Sequence, residues 1–443
     1  MASIGILGAG PAGLAAALRL ARSGLSVHLF EAAPELGGLA RSFELDDVTI
    51  ERYYHFLCGV DQGYFDLLEE LDLSESLRWR TTRMGYYFHG RLYPFSSSLD
   101  LLRFGGTSLL GRIRYGLSAL YASWIEDWRP LDARRAEPWL ISMMGESAYR
   151  ATWYPLLSRK FPGVHDQISA AWVWHRIHRV ARSRKTLFHK ERLGHLVGGT
   201  QTLVDALEAR LGALDVTVHR ETPAERILIE DRRAVGVSLA GDSSPRRFDH
   251  MLSAVPLPVF HRLLEHVDDP WLDELATHEF LAVVCVVLRL RRPISENFWT
   301  NVDDPRISFN GVIEYTNLNP EITPDGSSIV YVPYYLPRED PRYRRDDDSL
   351  IAECVEALRL IQPALADDDV LSAAVSRDPF AQVVCPAGFA ERVPGHETPF
   401  RGLYLVESSQ LYPSDRTISG TIDLAHAAVE RVLAAETRSE ATP

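Results

Sequence analysis

The sequence predicts an α/β fold, α+β over the whole chain, organised around a strand–turn–helix–strand unit at its amino terminus. Residues 3–7 form a short apolar strand, residues 14–21 have helix-forming composition, and residues 25–30 form a second strand that is followed by Glu31. Between the first strand and the helix lies a glycine-rich turn, Gly8-Ala9-Gly10-Pro11-Ala12-Gly13. A strand before such a turn, a helix after it and an acidic residue about twenty positions on are the context of a Rossmann-type dinucleotide-binding unit.

This turn has the residues that a pyrophosphate needs. Gly8 allows the tight turn, Gly10 lets the pyrophosphate approach the backbone, and Gly13 lets the helix pack closely on the strand. Pro11 and Ala12 lead into the helix, whose free N–H groups are offered to the phosphates. Glu31 is expected to accept hydrogen bonds from ribose hydroxyls and to disfavour a 2′-phosphate. A glycine-rich turn without a ligand is the alternative, and the complete context weakens it.

Length and charge limit the classes of function. A chain of 443 residues predicts two or three domains. The net charge of −13 argues against general nucleic-acid binding, which needs surplus lysine and arginine. Lysine occurs only at Lys160, Lys185 and Lys190, a bias that we attribute to genomic base composition. The expected partner is a small-molecule substrate.

Cysteine usage and hydropathy indicate a cytoplasmic protein. The four cysteines are scattered without metal-ligand spacing, so no metal site is predicted and free thiols in a reducing compartment are expected. No signal peptide is expected before the first strand. The longest apolar run, residues 280–288, is too short to span a bilayer, so no integral membrane segment is predicted.

A second glycine pair follows Glu31 closely and predicts more backbone near the same extended cofactor. It belongs to the stretch Gly37-Gly38-Leu39-Ala40-Arg41-Ser42, in which Arg41 is available for phosphate charge. Together with the first glycine turn and Glu31-Ala32, this stretch resembles the superfamily of FAD-dependent enzymes that holds the amine oxidases, protoporphyrinogen oxidases and phytoene desaturases. The UDP-galactopyranose mutases are relatives in that superfamily.

The resemblance implies a fold and a domain division. It implies a discontinuous FAD-binding domain of the glutathione-reductase-2 kind, formed by residues 1–72, 191–257 and 393–443. Residues 73–190 and 258–392 would form a mixed-sheet and helical substrate domain. The order of four further stretches is similar to the bacterial protoporphyrinogen-oxidase-like branch of FAD-dependent oxidoreductases: residues 51–55, 172–174, 311–314 and 410–413.

The resemblance also implies which residues contact FAD. Tyr54 and His55 would lie beside the isoalloxazine ring, with His55 as the candidate catalytic acid or base, and Ala224 would contact the adenine through its backbone. In Arg416-Thr417-Ile418 a helix begins, and the Ile418 amide would meet O2 of the flavin. Val406-Glu407-Ser408 replaces the usual Ala-Gly-Asp, so Ser408 takes the place of the acid that binds the ribityl chain. No cysteine lies in this last motif, so noncovalent FAD is predicted.

Two groups of residues are candidates for substrate binding. A dense cationic run is either a solvated helix face or a site for an anionic substrate: Arg176, His178, Arg179, Arg182, Arg184, Lys185, His189, Lys190 and Arg192. Strand-like stretches further on are expected to turn polar and aromatic side chains toward a pocket: Glu314, Thr316, Asn317, Tyr331 and Tyr335.

Residues 99–128 predict one or two helices broken at Gly105-Gly106. Apolar residues recur there at helical spacing: Leu101, Leu102, Leu109, Leu110, Ile113, Leu117, Leu120 and Tyr121. Such a stripe is usually packed in a core. Peripheral membrane contact through Arg103, Arg112 and Arg114 is the alternative.

Only one dinucleotide fingerprint is present, so we expect electrons to pass from substrate to FAD. The resemblance then implies an oxidoreductase that takes hydride from an amine, alcohol, sugar or polyene C–H, with reoxidation by O2 or another acceptor. A non-redox mutase acting on a nucleotide sugar is the first alternative, and a flavin-binding scaffold without turnover is the second. The sequence does not fix the substrate or the oligomeric state.

Overall fold

The computed structural model describes residues 1–183 and 192–440. The elements of its first part are β1 (Ser3–Leu7), α1 (Pro11–Arg22), β2 (Ser26–Phe30), β3 (Ser42–Leu45), β4 (Val48–Glu51), α2 (Gln62–Glu70), β5 (Leu77–Thr81), β6 (Met84–Phe88), β7 (Arg91–Pro94), α3 (Ser98–Arg103), α4 (Leu109–Trp124), α5 (Arg129–Asp132), α6 (Ala136–Met144) and α7 (Glu146–Lys160). The middle part has α8 (Ala170–Ser183), β8 (Arg192–Leu196), α9 (Gln201–Gly212), β9 (Thr217–His219), β10 (Ala224–Glu230), β11 (Arg233–Leu239), β12 (Arg246–Arg247), β13 (His250–Ser253), α10 (Leu257–Leu263), α11 (Pro270–Ala276) and β14 (Phe280–Leu290). The last part has β15 (Trp299–Asp303), β16 (Gly311–Glu314), β17 (Ser328–Leu336), α12 (Asp347–Ile361), β18 (Val370–Val383), β19 (Leu403–Leu405) and α13 (Ile418–Glu440).

A five-stranded parallel sheet joins distant parts of the chain in the order β19-β13-β1-β2-β9. Its central strand β1 pairs Ile4 with Val27 on one side and with His250 on the other. Parallel strands are covered on both faces, which agrees with the nearly complete burial of β1. The α/β fold class predicted from the sequence is confirmed. The residue boundaries of the two domains stay a prediction.

Helix α1 forms because its sequence is rich in alanine and leucine and it is buried along most of its length. Leu14, Leu18 and Leu20 are buried in the core beside the parallel sheet. Pro11 occupies the first turn, where its missing N–H costs nothing. The chain leaves the helix through Gly24, whose φ of +86° favours glycine. Helix α13 packs against α1, so the last helix of the chain lies beside the first.

A seven-stranded mixed sheet forms the second layer, in the order β18-β14-β17-β16-β15-β6-β7. Only β15 and β6 pair in parallel among these strands. One face packs on α12 through Leu350, Cys354 and Leu358. The other face packs on β4 and the loop after it, with Tyr331 against the Ile50 region. The sheet therefore fixes the position of the segment that contains Tyr54 and His55.

The helices α3 to α8 form a third region, beside a hairpin of β6 and β7 in which Phe88 pairs with Arg91. The predicted break at Gly105-Gly106 is confirmed, because α3 ends before it and α4 begins after it. None of the helices in the described ranges is both long and apolar enough to cross a bilayer.

Candidate cofactor and active site

A cavity of about 1400 Å³ runs from the carboxyl end of the parallel sheet into the helical region. Its walls include Gly8 and Glu31 at one end, Ile418 further in, and Lys160 and Tyr115 beyond them. Small-molecule pockets usually hold about 300–1,000 Å³. This cavity therefore has room for a nucleotide cofactor and a substrate together. We call the part around Gly8 to Arg41 the cradle and the part around Lys160 the chamber.

The cradle is shaped by close approaches of backbone that only glycine permits. A Cβ on Gly13 would lie 1.9 Å from the Gly8 carbonyl oxygen, so any side chain there would force β1 and α1 apart. A Cβ on Gly38 would lie 3.1 Å from the Gly10 Cα, and the Gly38 φ is +55°. The second glycine pair thus lies directly against the first glycine turn.

Glu31 closes one end of the cradle. Its carboxylate accepts hydrogen bonds from the Ala9 N–H at 2.8 Å and from the Ala33 N–H at 2.9 Å. These two bonds hold the carboxylate against the glycine turn. Ala224 also lines the cavity.

The glycine turn and Arg41 leave unused hydrogen-bond donors at the cradle. The N-terminus of α1 has no side-chain cap at Gly10, so amides of its first turn remain available. The Nε of Arg41 is buried and, among the described residues, has no hydrogen-bond partner, although Arg41 lines the cavity. A buried, unpaired guanidinium nitrogen beside a free helix N-terminus fits a phosphate.

Three predicted cofactor residues lie behind the cradle wall rather than on it. Gly13 has the packing role described above, and the Gly37 N–H donates to the Ala9 carbonyl at 2.8 Å. The Ser42 N–H donates to Gln201 Oε1 at 3.3 Å. Because none of the three lines the cavity, their contribution is to hold the two loops in place.

The other end of the cradle is formed by the start of α13. Thr417 and Ile418 line the cavity there, and the helix begins at Ile418, so its dipole favours negative charge at this point. Tyr54 and His55 line the same cavity. Burial, assisted by the charge of Arg416, lowers the pKa of His55 to about 4, so its imidazole is neutral at pH 7.

Glu407 is a residue that sequence reasoning missed at this end. Its carboxylate is buried, lines the cavity, and accepts hydrogen bonds from the Ser408 hydroxyl at 2.8 Å and the Ser409 N–H at 2.7 Å. Ser408 lines the cavity too, but its hydroxyl donates to this carboxylate. The acid next to Ser408 was visible in the sequence, shifted by one position from the expected aspartate.

Lys160, the other missed residue, lies in the chamber. Its Nζ is 3.7 Å from Asp415 Oδ2 and 4.9 Å from the centre of the Tyr335 ring. Burial, reinforced by Arg176 and Arg416 and opposed by Asp415, lowers the pKa of Lys160 to about 7. The amine can therefore gain or lose a proton near neutral pH. In the sequence, Lys160 is distinguished only by the rarity of lysine, which base composition also explains.

Two of the predicted substrate cations reach the cavity, and each is paired with a carboxylate. The Arg176 guanidinium is 2.5 Å from Asp415 Oδ2. Arg179 donates to both carboxylate oxygens of Asp61, at 2.9 and 3.1 Å. Burial alone would raise the pKa of Asp415, but Arg176, Lys160 and Arg416 hold it below its usual value. Arg184, Lys185, His189 and Lys190 lie outside the described residues.

Four of the five residues predicted to turn toward a pocket, Glu314, Thr316, Asn317 and Tyr331, do not line the cavity, so that expectation is wrong for them. Glu314 accepts hydrogen bonds from the Ile294 N–H at 2.8 Å and the Ser295 N–H at 2.9 Å, and Asn317 donates to two backbone carbonyls of the same loop. The Tyr331 hydroxyl donates to the Glu51 carbonyl at 2.8 Å. These side chains satisfy buried backbone groups. Tyr335 does line the chamber.

The fold and the cradle define a dinucleotide-binding flavoprotein. The chain belongs to the flavin containing amine oxidoreductase family, whose family model matches residues 11–433. FAD is therefore its cofactor, and the cradle fits it through the glycine turns, the uncapped N-terminus of α1 and the unpaired Arg41 nitrogen. Residues 402–435 hold no cysteine, in keeping with noncovalent binding.

A curated relative is the "Putative flavin-containing monoamine oxidase AofH" of Mycobacterium tuberculosis, 26% identical over 276 residues. That match covers 60% of this chain and 59% of the relative, so it spans less than two thirds of the relative's length.

Two solved structures are similar over nearly the whole chain. The "Putative protoporphyrinogen oxidase" from Exiguobacterium sp. 255-15 is 21% identical, with a TM-score of 0.77 over 97% of this chain and 98% of its own. A reduced UDP-galactopyranose mutase is 19% identical, with a TM-score of 0.77 over 98% of this chain and 96% of its own. At these identities the likeness is one of fold.

Proposed function

We propose that the chain is an FAD-dependent oxidoreductase that oxidises a small organic molecule in the chamber. The observation that carries this proposal is the continuity of cradle and chamber in a single cavity, with Lys160 and Tyr335 where a substrate would lie. When bound, FAD supplies the hydride acceptor at N5. Reoxidation by O2 or another acceptor would complete the cycle.

Lys160 is the proposed proton acceptor. Oxidation of an amine or alcohol removes a hydride from carbon and a proton from nitrogen or oxygen, which leaves a C=N or C=O bond. Above its pKa of about 7 the Lys160 amine is neutral and can take that proton. His55 is neutral as well and stays a second candidate from the resemblance.

The start of α13 is proposed to stabilise the reduced cofactor. A helix N-terminus stabilises negative charge, so this one would favour the reduced form of a flavin whose pyrimidine end lay against it. Thr417 and Ile418 lie at that terminus and line the cavity. This role needs no side-chain chemistry, so it is independent of the substrate.

The alternative is a non-redox mutase that acts on a nucleotide sugar. Arg176 and Lys160 line the chamber and are cations that could meet a diphosphate. Both already share the carboxylate of Asp415, and Arg179 is held by Asp61. A diphosphate would have to displace or share these ion pairs, so the geometry favours the oxidoreductase.

Anaerobic mixing separates the two functions. Oxidised holoenzyme is mixed with panels of primary amines, secondary alcohols and polyenes, and the visible absorbance of oxidised flavin is followed. Bleaching by one class supports the oxidoreductase and identifies its substrate class. Failure of every panel, together with isomerisation of a nucleotide sugar only after dithionite reduction, would establish the mutase instead. The cytoplasmic location stays a prediction from the sequence.

A further inference from the structure

Helix α4 exposes a continuous apolar stripe to the outside of the molecule. Leu110, Ile113, Leu117, Tyr121 and Trp124 are between 45% and 72% exposed. They recur at intervals of three and four residues, so they share one face of the helix. The stripe is extended by three further exposed leucines, Leu99, Leu102 and Leu109. We call these eight residues the apolar face.

The prediction that this periodicity marks a core stripe is wrong for most of its residues. The inner side of α4 is built from small residues, with Gly111, Ser118 and Ala122 buried. Small inner residues let the helix lie close to its neighbours, which leaves the large side chains outside. Monomeric soluble proteins rarely expose contiguous apolar patches of more than a few hundred Å², and larger ones mark interaction sites.

The charge around the apolar face differs in sign from that of the whole chain. Residues 99–124 hold three arginines, Arg103, Arg112 and Arg114, and one acidic residue, Asp100. The Asp100 carboxylate is occupied by the backbone N–H groups of Ser96 and Ser97. The chain as a whole has a net charge of −13. A cationic apolar surface on an acidic protein complements an anionic surface with an apolar interior.

The apolar face is also the outer side of the chamber wall. Tyr115, Ala119 and Ser123, on α4 itself, line the cavity. In α3, Leu101 lines the cavity while its neighbour Leu102 is exposed. The exposed apolar surface and the interior of the cavity are therefore separated by one helix.

We infer that the apolar face docks on the surface of a lipid bilayer that carries anionic headgroups. Leucines and Ile113 would enter the acyl boundary, and Tyr121 and Trp124 suit the level of the headgroups, where amphipathic rings are enriched. Arg103 and Arg114, which are exposed, would meet the anionic headgroups, whereas Arg112 donates to the Leu102 and Thr107 carbonyls. Docking of this kind needs no membrane-spanning helix. It is independent of the proposed reaction.

Vesicle flotation of the full-length holoenzyme tests this inference. The probes are phosphatidylcholine vesicles and vesicles of phosphatidylcholine with phosphatidylglycerol, at low and high salt. The wild type is expected to float with the anionic vesicles, and less so at high salt. Leu117→Glu should reduce partitioning at least about tenfold, because it removes an apolar side chain that would enter the acyl boundary and places a negative charge against the anionic headgroups. Arg103→Glu should reduce it about fivefold.

Leu371→Glu is the matched control, because Leu371 is 38% exposed on β18, outside the apolar face. It should float like the wild type. Flavin content and thermal unfolding report whether each variant folds, and Leu110→Glu replaces Leu117→Glu if the latter does not. The inference is overturned if the wild type floats with neither vesicle, or if Leu371→Glu loses as much binding as Leu117→Glu. A dimer in solution that Leu117→Glu dissociates would also overturn it, since the occupant would then be a second copy.

Discussion

The cradle and the chamber are two ends of one cavity, but they are built from different materials. The cradle depends on backbone: Gly13 against the Gly8 carbonyl, and Gly38 against Gly10. The chamber depends on side chains from distant elements, with Lys160 at the end of α7 and Asp415 just before α13. A backbone site tolerates almost no change in volume, whereas a side-chain site tolerates changes in volume and is sensitive to charge.

The largest expected effect comes from a substitution that disrupts the cradle. Gly13→Ala places a Cβ at 1.9 Å from a backbone oxygen, and we expect a loss of about 3 kcal/mol in unfolding free energy, with flavin lost on purification. Flavin content and urea unfolding measure it. The matched control is Gly212→Ala, also in a helix but with no atom within 4 Å of the new Cβ. A flavin-replete Gly13→Ala protein would contradict the account of the cradle.

The next largest effect tests the role of the Lys160 amine in the chamber. Lys160→Met should lower kcat about 100-fold, because a general base is lost. In the wild type the rate should rise with pH through about 7, where Lys160 becomes neutral, and the variant should lack this rise. Lys160→Arg keeps the charge but cannot lose its proton, so it should also lack the rise. An unchanged pH profile in Lys160→Met would exclude the lysine as the base.

The same lysine has a consequence for stability. Burial, the largest cause, lowers its pKa from 10.5 to about 7 in the folded chain, so between these values the unfolded chain binds more protons than the folded one. Its contribution to stability therefore rises with pH across that window. Lys160→Met should flatten this part of the stability profile, measured by urea unfolding at several pH values. A slope equal to that of the wild type would mean that the amine is not buried.

A smaller expected effect tests whether Glu314 stabilises the neighbouring loop or contacts the substrate. Glu314→Ala leaves the Ile294 and Ser295 amides without their acceptor and should cost about 1–3 kcal/mol of stability while KM stays unchanged. Glu314→Gln keeps an acceptor oxygen and should cost less. Burial raises the pKa of Glu314 to about 7, so a neutral amide is a close substitute there. A raised KM in Glu314→Gln would restore Glu314 to the substrate site.

The smallest effect distinguishes two neighbours at the flavin end of the cradle. Ser408→Ala removes one hydrogen bond to Glu407 and should weaken FAD affinity by less than about fivefold. Glu407→Gln should weaken it more, because the carboxylate also accepts from the Ser409 N–H. Fluorescence titration of the apoprotein with FAD measures both. The reverse order would mean that Ser408 holds the ribityl chain, as the resemblance implied.

The sequence predicted the cradle well because each of its parts is local. The turn from Gly8 to Gly13, Glu31 and the pair Gly37-Gly38 lie within about thirty residues of one another, and each needs a specific backbone conformation that only certain residues allow. The fold class followed from the same stretch, with the strands and helices placed by their hydrophobic periodicity. Ile418, far along the chain, was predicted from the resemblance, and it lines the cavity.

The chamber could not be predicted in the same way. Lys160, Arg176 and Asp415 meet only after three elements have packed, and nothing in their spacing indicates that contact. Tyr331 shares strand β17 with a cavity residue, Tyr335, and Glu314 lies on the neighbouring strand β16, but hydrogen bonds to buried backbone occupy both side chains. Helical periodicity showed that the apolar residues of α4 share one face. It could not show whether that face is buried in the core or exposed.

Helix α4 lines the cavity with one side and exposes apolar side chains on the other. Ala119 and Ser123 set the width of the chamber from within, while Leu117 and Tyr121, which alternate with them along the helix, are exposed on the outside. A larger residue at Ala119 would narrow the space for substrate without touching the glycine turns that hold the nucleotide. Substrate range can therefore be changed on a helix that takes no part in cofactor binding, with the outer residues left as they are.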